Sequence, residues 1–156
     1  MSTQEHISVL PIGIVVGGRT QPDDDGWDAE MCDIVLSERF DPSALQGLDA
    51  FSHVEVVYHF HLVGEDAVVV GARHPRDRAD WPAVGIFAQR GRVRPNRLGV
   101  TVCRVVNVDG TRLTVRGLDA VDGSPVLDIK PYLCGFAPRG EVVEPAWTKE
   151  LMAEYW

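Results

Sequence analysis

The chain has 156 residues, 45% of them hydrophobic, and a mean hydropathy of −0.05, enough for one domain with a real core. No apolar run nears the roughly 18–20 residues that cross a bilayer, and the opening MSTQEHISVLPIG lacks the basic and apolar parts of a signal peptide. The expectation is a cytoplasmic protein with no membrane partner. Its formal charge of −8 argues against broad binding to nucleic acid, DNA included.

Along the chain, Ser8–Val16 is apolar and β-branched and predicts a first strand. Residues 17–30, GGRTQPDDDGWDAE, predict a loop with an acidic tip, and Met31–Leu36 a second, short strand. Asp41-Pro42 supplies an N-cap and a first-turn proline for a short helix to about Leu48. Ser52–Val63 then alternates. Val54, Val56, Tyr58, Phe60 and Leu62 form one face, and His53, Glu55, His59 and His61 the other.

Residues 72–82 read as a basic loop, and strand character resumes at Val84–Gln89 and Leu98–Val108. Asp109-Gly110 carries the type I′ hairpin signal that pairs Leu98–Val108 with Thr111–Arg116. Ala146–Trp156 predicts a short helix docked by Trp147, Leu151 and Trp156. The fold class is mostly β: a small antiparallel barrel with short helices, one of them C-terminal, forming a single domain over 1–156.

The charge is uneven. Residues 73–97 hold seven arginines against Asp77 and Asp80, a local +5 that leaves −13 for the rest. Arg90, Arg92 and Arg94 alternate, which on a strand would place three guanidinium groups on one face. They form either a salt-bridged exposed edge or an anion-binding site whose forks match carboxylate or phosphate.

His59 and His61, with Glu65 four residues on, have the spacing of a metal motif. No second motif supplies another histidine. They are metal ligands, ordinary strand histidines or the lining of an organic-ligand pocket, and the expectation is no metal. Gly117-Leu118-Asp119 and Asp122-Gly123-Ser124-Pro125 have turn composition, and Asp128 and Lys130 share a strand face as an ion pair or as a ligand-facing couple. Cys32, Cys103 and Cys134 are odd in number and scattered, so reduced thiols are expected.

Four blocks, PIGIV (11–15), LQGLDAFSHVEVVYHFH (45–61), GIFAQRGRVRPNRLG (85–99) and RGLDAVDGSPVLDIKPY (116–132), follow one another in an order and spacing that resemble the TsaA-like (TrmO) family. The resemblance implies a β-barrel, homodimeric, S-adenosyl-L-methionine-dependent methyltransferase. It also implies N6-methylation of threonylcarbamoyl-adenosine at tRNA position 37. Carried over by motif, the cofactor residues are Arg19, His61, Leu62, Arg90, Val100 and Arg116, Gly117, Leu118 and Asp119. Arg92, Arg94 and Asn96 fall to the substrate, and Asp128, Lys130 and Tyr132 to catalysis, Asp128 as proton acceptor.

Arg97 stands where the family has a second proline, and the segment after Tyr132 is short. The competing expectations are a methyltransferase of a small metabolite, a noncatalytic ligand-binding barrel, and a cupin-like metal enzyme.

Overall fold

The computed structural model describes residues 4–156. Six strands close an antiparallel barrel: β1 (Gly13–Val16), β2 (Met31–Leu36), β3 (His53–His59), β6 (Leu98–Asp109), β7 (Arg112–Arg116) and β8 (Pro125–Pro131), in the order β1-β2-β7-β6-β3-β8. Pairing of Gly13 with Val126 completes the ring, so no strand edge stays open in it. Two residue pairs, β4 (Ala72–Arg73) and β5 (Val84–Gly85), form a separate ribbon beside the barrel. One α-helix, α1 (Ala146–Met152), comes late in the chain, and no helix among the described residues is long and apolar enough to cross a membrane.

Period-two alternation fills the interior. Val15, Cys32, Ile34, Val54, Val56, Tyr58, Cys103, Leu113, Val115 and Val126 point inward and are buried. Each such Val or Leu contributes about 1.5–3 kcal/mol by leaving water. Leu118 and Ala120 from the β7–β8 connection close one end of this core.

Two bulges set what faces out. The β3–β8 register shifts between Val57 and Tyr58, which leaves Leu127 unpaired. Both Val126 and Ile129 therefore reach the core, and Asp128 and Lys130 turn to solvent. A second shift places Val106 outside the β6–β7 ladder.

Several expected boundaries move. The first strand begins at Gly13 rather than Ser8, because Pro11 has no amide donor for a ladder; Ile12 makes the first bond, to the Val126 carbonyl at 2.8 Å. The helix after Asp41 is two 3₁₀ turns, Pro42–Leu45 and Leu48–Ala50, broken by Gly47 at φ 86°. The strand expected to run to Val63 stops at His59. His61 N–H bonds back to the His59 carbonyl, and Leu62 is exposed rather than on the apolar face.

Only Val84–Gly85 of the expected Val84–Gln89 strand is extended, since Ile86–Ala88 turns as 3₁₀. Arg90, Arg92 and Arg94 therefore share no strand face. The hairpin turn is Gly110-Thr111, one residue later than expected. Asp109 still pairs with Arg112, and only Gly110 has positive φ, which excludes a type I′ turn.

Candidate functional site

At one end of the barrel β1, β3 and β7 finish and β2, β6 and β8 begin. Arg19, His61, Leu62, Val100 and Arg116 to Asp119 all lie on the strand ends and connections that meet there. Arg90 joins them through its Nη2, which donates to the Val100 carbonyl at 2.7 Å. The structure thus brings together residues at or beside three of the quoted blocks, together with Arg19.

Asp119 is the hub. Tyr58 Oη donates to its Oδ1 and to its backbone carbonyl, both at 3.0 Å. Thr101 Oγ1 also donates to Oδ1, and Tyr155 Oη donates to Oδ2. Burial, followed by the Asp119 charge, pushes both phenols above the ordinary tyrosine pKa, so both remain donors. Gly99 lets the Tyr58 ring lie flat on β6, since a Cβ there would stand 2.5 Å from Cζ.

The turns of the β7–β8 connection tie this hub to the barrel. Gly117 at φ 82° bonds through its N–H to the Glu30 carbonyl, and Gly123 at φ 83° bonds to the Val15 carbonyl. Asp122 Oδ1 accepts from Gly17 N–H at 2.7 Å. The turn composition read in the sequence is realised, and it positions Asp119.

His61 sits beside this connection. Its Nδ1 is buried with no hydrogen-bond partner, and a Cβ on Gly123 would lie 3.5 Å from Nε2. The unpartnered nitrogen is thus Nδ1, while Nε2 on the other side of the ring is the one that faces Gly123. His59 has a lowered pKa, from burial first and then from Arg97 and His61. Among the described residues, no group of three or more His, Cys, Asp or Glu is placed to hold a metal ion.

The arginines are largely committed to their own chain. Arg19 bonds Glu30 at 2.9 Å and the Asp25 and Gly26 carbonyls, and lies 4.4 Å over the Trp27 ring. Arg92 donates to the Pro22 carbonyl, Arg94 to the Gln89 carbonyl and Arg97 to the Val63 carbonyl. Arg116 holds the Asp28 carbonyl at 2.9 Å. Arg76 pairs with Asp25 at 2.9 Å, stapling the basic loop to the acidic one. Asn96 is exposed at φ 63°.

Asp128, Lys130 and Tyr132 stand apart. Lys130 Nζ meets Asp128 Oδ2 at 2.8 Å on the outer wall, the ion-pair arrangement of the two readings. Tyr132 N–H bonds the His53 carbonyl, at the far end of β3. At ~3.3 Å per residue, Pro131, the residue before Tyr132, is about 20 Å along β8 from Pro125. Near that far end, a groove of about 450 Å³ is lined by Asp49–Ser52 and Val105–Val108, with Asp49 its sole ionisable group.

Tyr58, Thr101 and Tyr155 were not among the sequence candidates. Tyr58 and Thr101 read as core positions of alternating strands, and only their pairing with a carboxylate 61 and 18 residues away gives them a role. Tyr155 lies just past α1, in a segment whose sequence offers Trp147, Leu151 and Trp156 for docking. Trp147 does pack at 6.3 Å from Trp81, but Trp156 is 51% exposed and leans edge-on against Tyr155.

Comparison with known proteins points the same way. A family model described as "tRNA-methyltransferase O N-terminal domain" matches residues 19–136, ending before α1. The human "tRNA (adenine(37)-N6)-methyltransferase" is 35% identical over 65% of this chain, which spans 23% of that protein. The "Probable S-adenosyl-L-methionine-binding protein PYRAB06630" of Pyrococcus abyssi is 34% identical over 92% of this chain and 77% of its own length. A crystal structure of TrmO from P. aeruginosa superposes with a TM-score of 0.75 at 27% identity, covering 94% of this chain and 64% of that one.

Proposed function

This chain belongs to the tRNA-methyltransferase O N-terminal-domain family, and from that premise we propose that it is an S-adenosyl-L-methionine-dependent methyltransferase with its cofactor site at the Asp119 end of the barrel. The observation that carries the reading is the buried, unpartnered Nδ1 of His61, whose Nε2 lies beside Gly123 on the same connection that carries the Asp119 hub. When bound, the cofactor supplies an activated methyl group on a sulfonium. The residues that would hold it are Arg19, His61, Leu62, Arg90, Val100 and Arg116 to Asp119.

The work left to the chain is alignment more than acid–base chemistry. A sulfonium loses its positive charge as the methyl departs in line, so positioned groups matter more than a strong electrophile. Arg90, exposed and held only by one carbonyl, can meet a carboxylate. Asp119 offers a fixed acceptor for a ligand N–H, and the backbone around Gly117 can reach a planar base edge.

The proposed acceptor is the N6 of threonylcarbamoyl-adenosine at tRNA position 37; the human and mouse relatives, both tRNA (adenine(37)-N6)-methyltransferases, support the adenine, its N6 and the position. That nitrogen must shed a proton, and Asp128 is the proposed base, with Lys130 and Tyr132 orienting the substrate alongside Arg92, Arg94 and Asn96. Within one chain Asp128 lies outside the cofactor end. Its participation therefore calls for a second copy whose outer wall faces this site, which favours the homodimer. The setting proposed for this chemistry is the cytoplasm.

Methylation of a small metabolite is the second reading. It is favoured by the charge of −8 and by arginines already bound to carbonyls. Modified-nucleoside profiles with and without the gene decide between them. Loss of the methylated threonylcarbamoyl-adenosine peak supports tRNA, and an unchanged peak moves the acceptor to a small molecule.

A further inference from the structure

The segment after α1 reaches into the proposed site. Gly26 N–H bonds the Glu154 carbonyl and Trp27 N–H bonds the Tyr155 carbonyl, both at 2.9 Å. Trp81 Nε1 donates to Glu150 Oε2 at 2.8 Å, and Trp147 packs on the Trp81 ring. These anchors fall on the 17–30 loop and on the 74–83 loop, which are themselves joined by Arg76 and Asp25. Tyr155 is thereby held from two sides, with its phenol on Asp119 Oδ2.

A carboxylate has about four lone-pair sites. On Asp119, Oδ1 accepts from both Tyr58 and Thr101, and Oδ2 accepts from Tyr155. One site on Oδ2 is left. A carboxyl torsion is broad and roughly two-fold, so donors on Oδ1 alone fix its direction loosely; a third donor on the other oxygen fixes the plane.

We infer that Tyr155 is a positioning residue of the ligand site, clamping Asp119 so that its one remaining lone pair meets a single ligand N–H donor. The inference rests on the cofactor reading and deepens it. It assigns a role to the segment beyond α1 and limits Asp119 to one ligand hydrogen bond. Tyr155 acts through Asp119 rather than by touching reacting atoms.

The experiment is a calorimetric double-mutant cycle on the full chain, with S-adenosylmethionine as titrant and the variants Tyr155→Phe, Asp119→Asn and both together. Wild-type chain that does not bind removes the cofactor reading, and this inference with it. Given wild-type binding, Tyr155→Phe is expected to weaken affinity roughly fivefold to tenfold, the size of one hydrogen bond. The double variant should then bind no more weakly than Asp119→Asn alone. Losses that multiply show that Tyr155 supports only the fold, and wild-type affinity in Tyr155→Phe also overturns the inference. If Asp119→Asn does not fold, Asp119→Ala replaces it in the cycle, with the same non-additivity expected and the same additivity fatal.

Discussion

Tyr58 and Asp119 are 61 residues apart in sequence, yet one phenol donates to both the carbonyl and the carboxylate of the aspartate at 3.0 Å. The bond joins the inside of β3 to the β7–β8 connection. It ties a core tyrosine to the proposed ligand site, because the same hydroxyl that is satisfied on burial also orients the Asp119 carboxylate.

Tyr58→Phe keeps the ring and strips this donor. Thr101 and Tyr155 still hold the carboxylate, but the Asp119 carbonyl loses the bond that Tyr58 gave it. Chemical denaturation should show a loss of about 1–2 kcal/mol. An unchanged midpoint and slope would show that the bond contributes nothing.

Gly99 is required by the same ring. A methyl there meets Tyr58 Cζ at 2.5 Å, Cε2 at 2.8 Å and Phe60 Cζ at 2.9 Å. Gly99→Ala must push Tyr58 off Asp119 or bend β6, at a cost of about 1–3 kcal/mol. Thermal unfolding tests this, with a melting point equal to that of the parent counting against it.

Arg97 occupies the position where the family motif has proline, and its φ is 51°. A proline ring locks φ near −65°, so Arg97→Pro cannot adopt this turn. The change also removes the bonds from Arg97 N–H to Arg94 and from its guanidinium to Val63. Backbone incompatibility of this kind costs about 1–3 kcal/mol. A variant as stable as the parent in urea would mean that the 95–97 turn adapts.

Cys32 and Cys103 face the barrel interior, and burial pushes both thiols up to about 12. Raised thiol values mean protonated, unreactive sulfur well below that pH; at pH 8 about one part in ten thousand is thiolate. Cys134 is exposed. A thiol reagent at pH 8 should titrate one cysteine in the folded chain and three after unfolding. Fast reaction of all three in the folded chain would contradict the buried assignment.

Much of the barrel was legible because alternation writes itself plainly in Val54-x-Val56-x-Tyr58 and because Met31–Leu36 has the same character. What sequence patterning hid was non-local. The Leu127 bulge that turns Asp128 and Lys130 outward leaves no local mark, and alternation alone does not say which face they take. Arg90, Arg92 and Arg94 alternate like a strand, yet they lie on an irregular segment and each guanidinium meets a different carbonyl, that of Val100, Pro22 or Gln89. Glycine marked the bend at Gly117, since positive φ there is a local demand. The hydroxyls that serve Asp119 come from β3, β6 and the end of the helical segment, and only closure of the barrel brings them together.

The central claim is that the Asp119 end of the barrel binds S-adenosylmethionine, and calorimetric titration of the wild-type chain beside Arg90→Ala tests it most directly. The account predicts saturable one-site binding to the wild type, weakened about tenfold when Arg90 loses the charge proposed to meet the ligand carboxylate. No heat of binding to the wild type at high micromolar ligand would contradict the methyltransferase reading. Equal affinity of the two proteins would contradict the place given to Arg90.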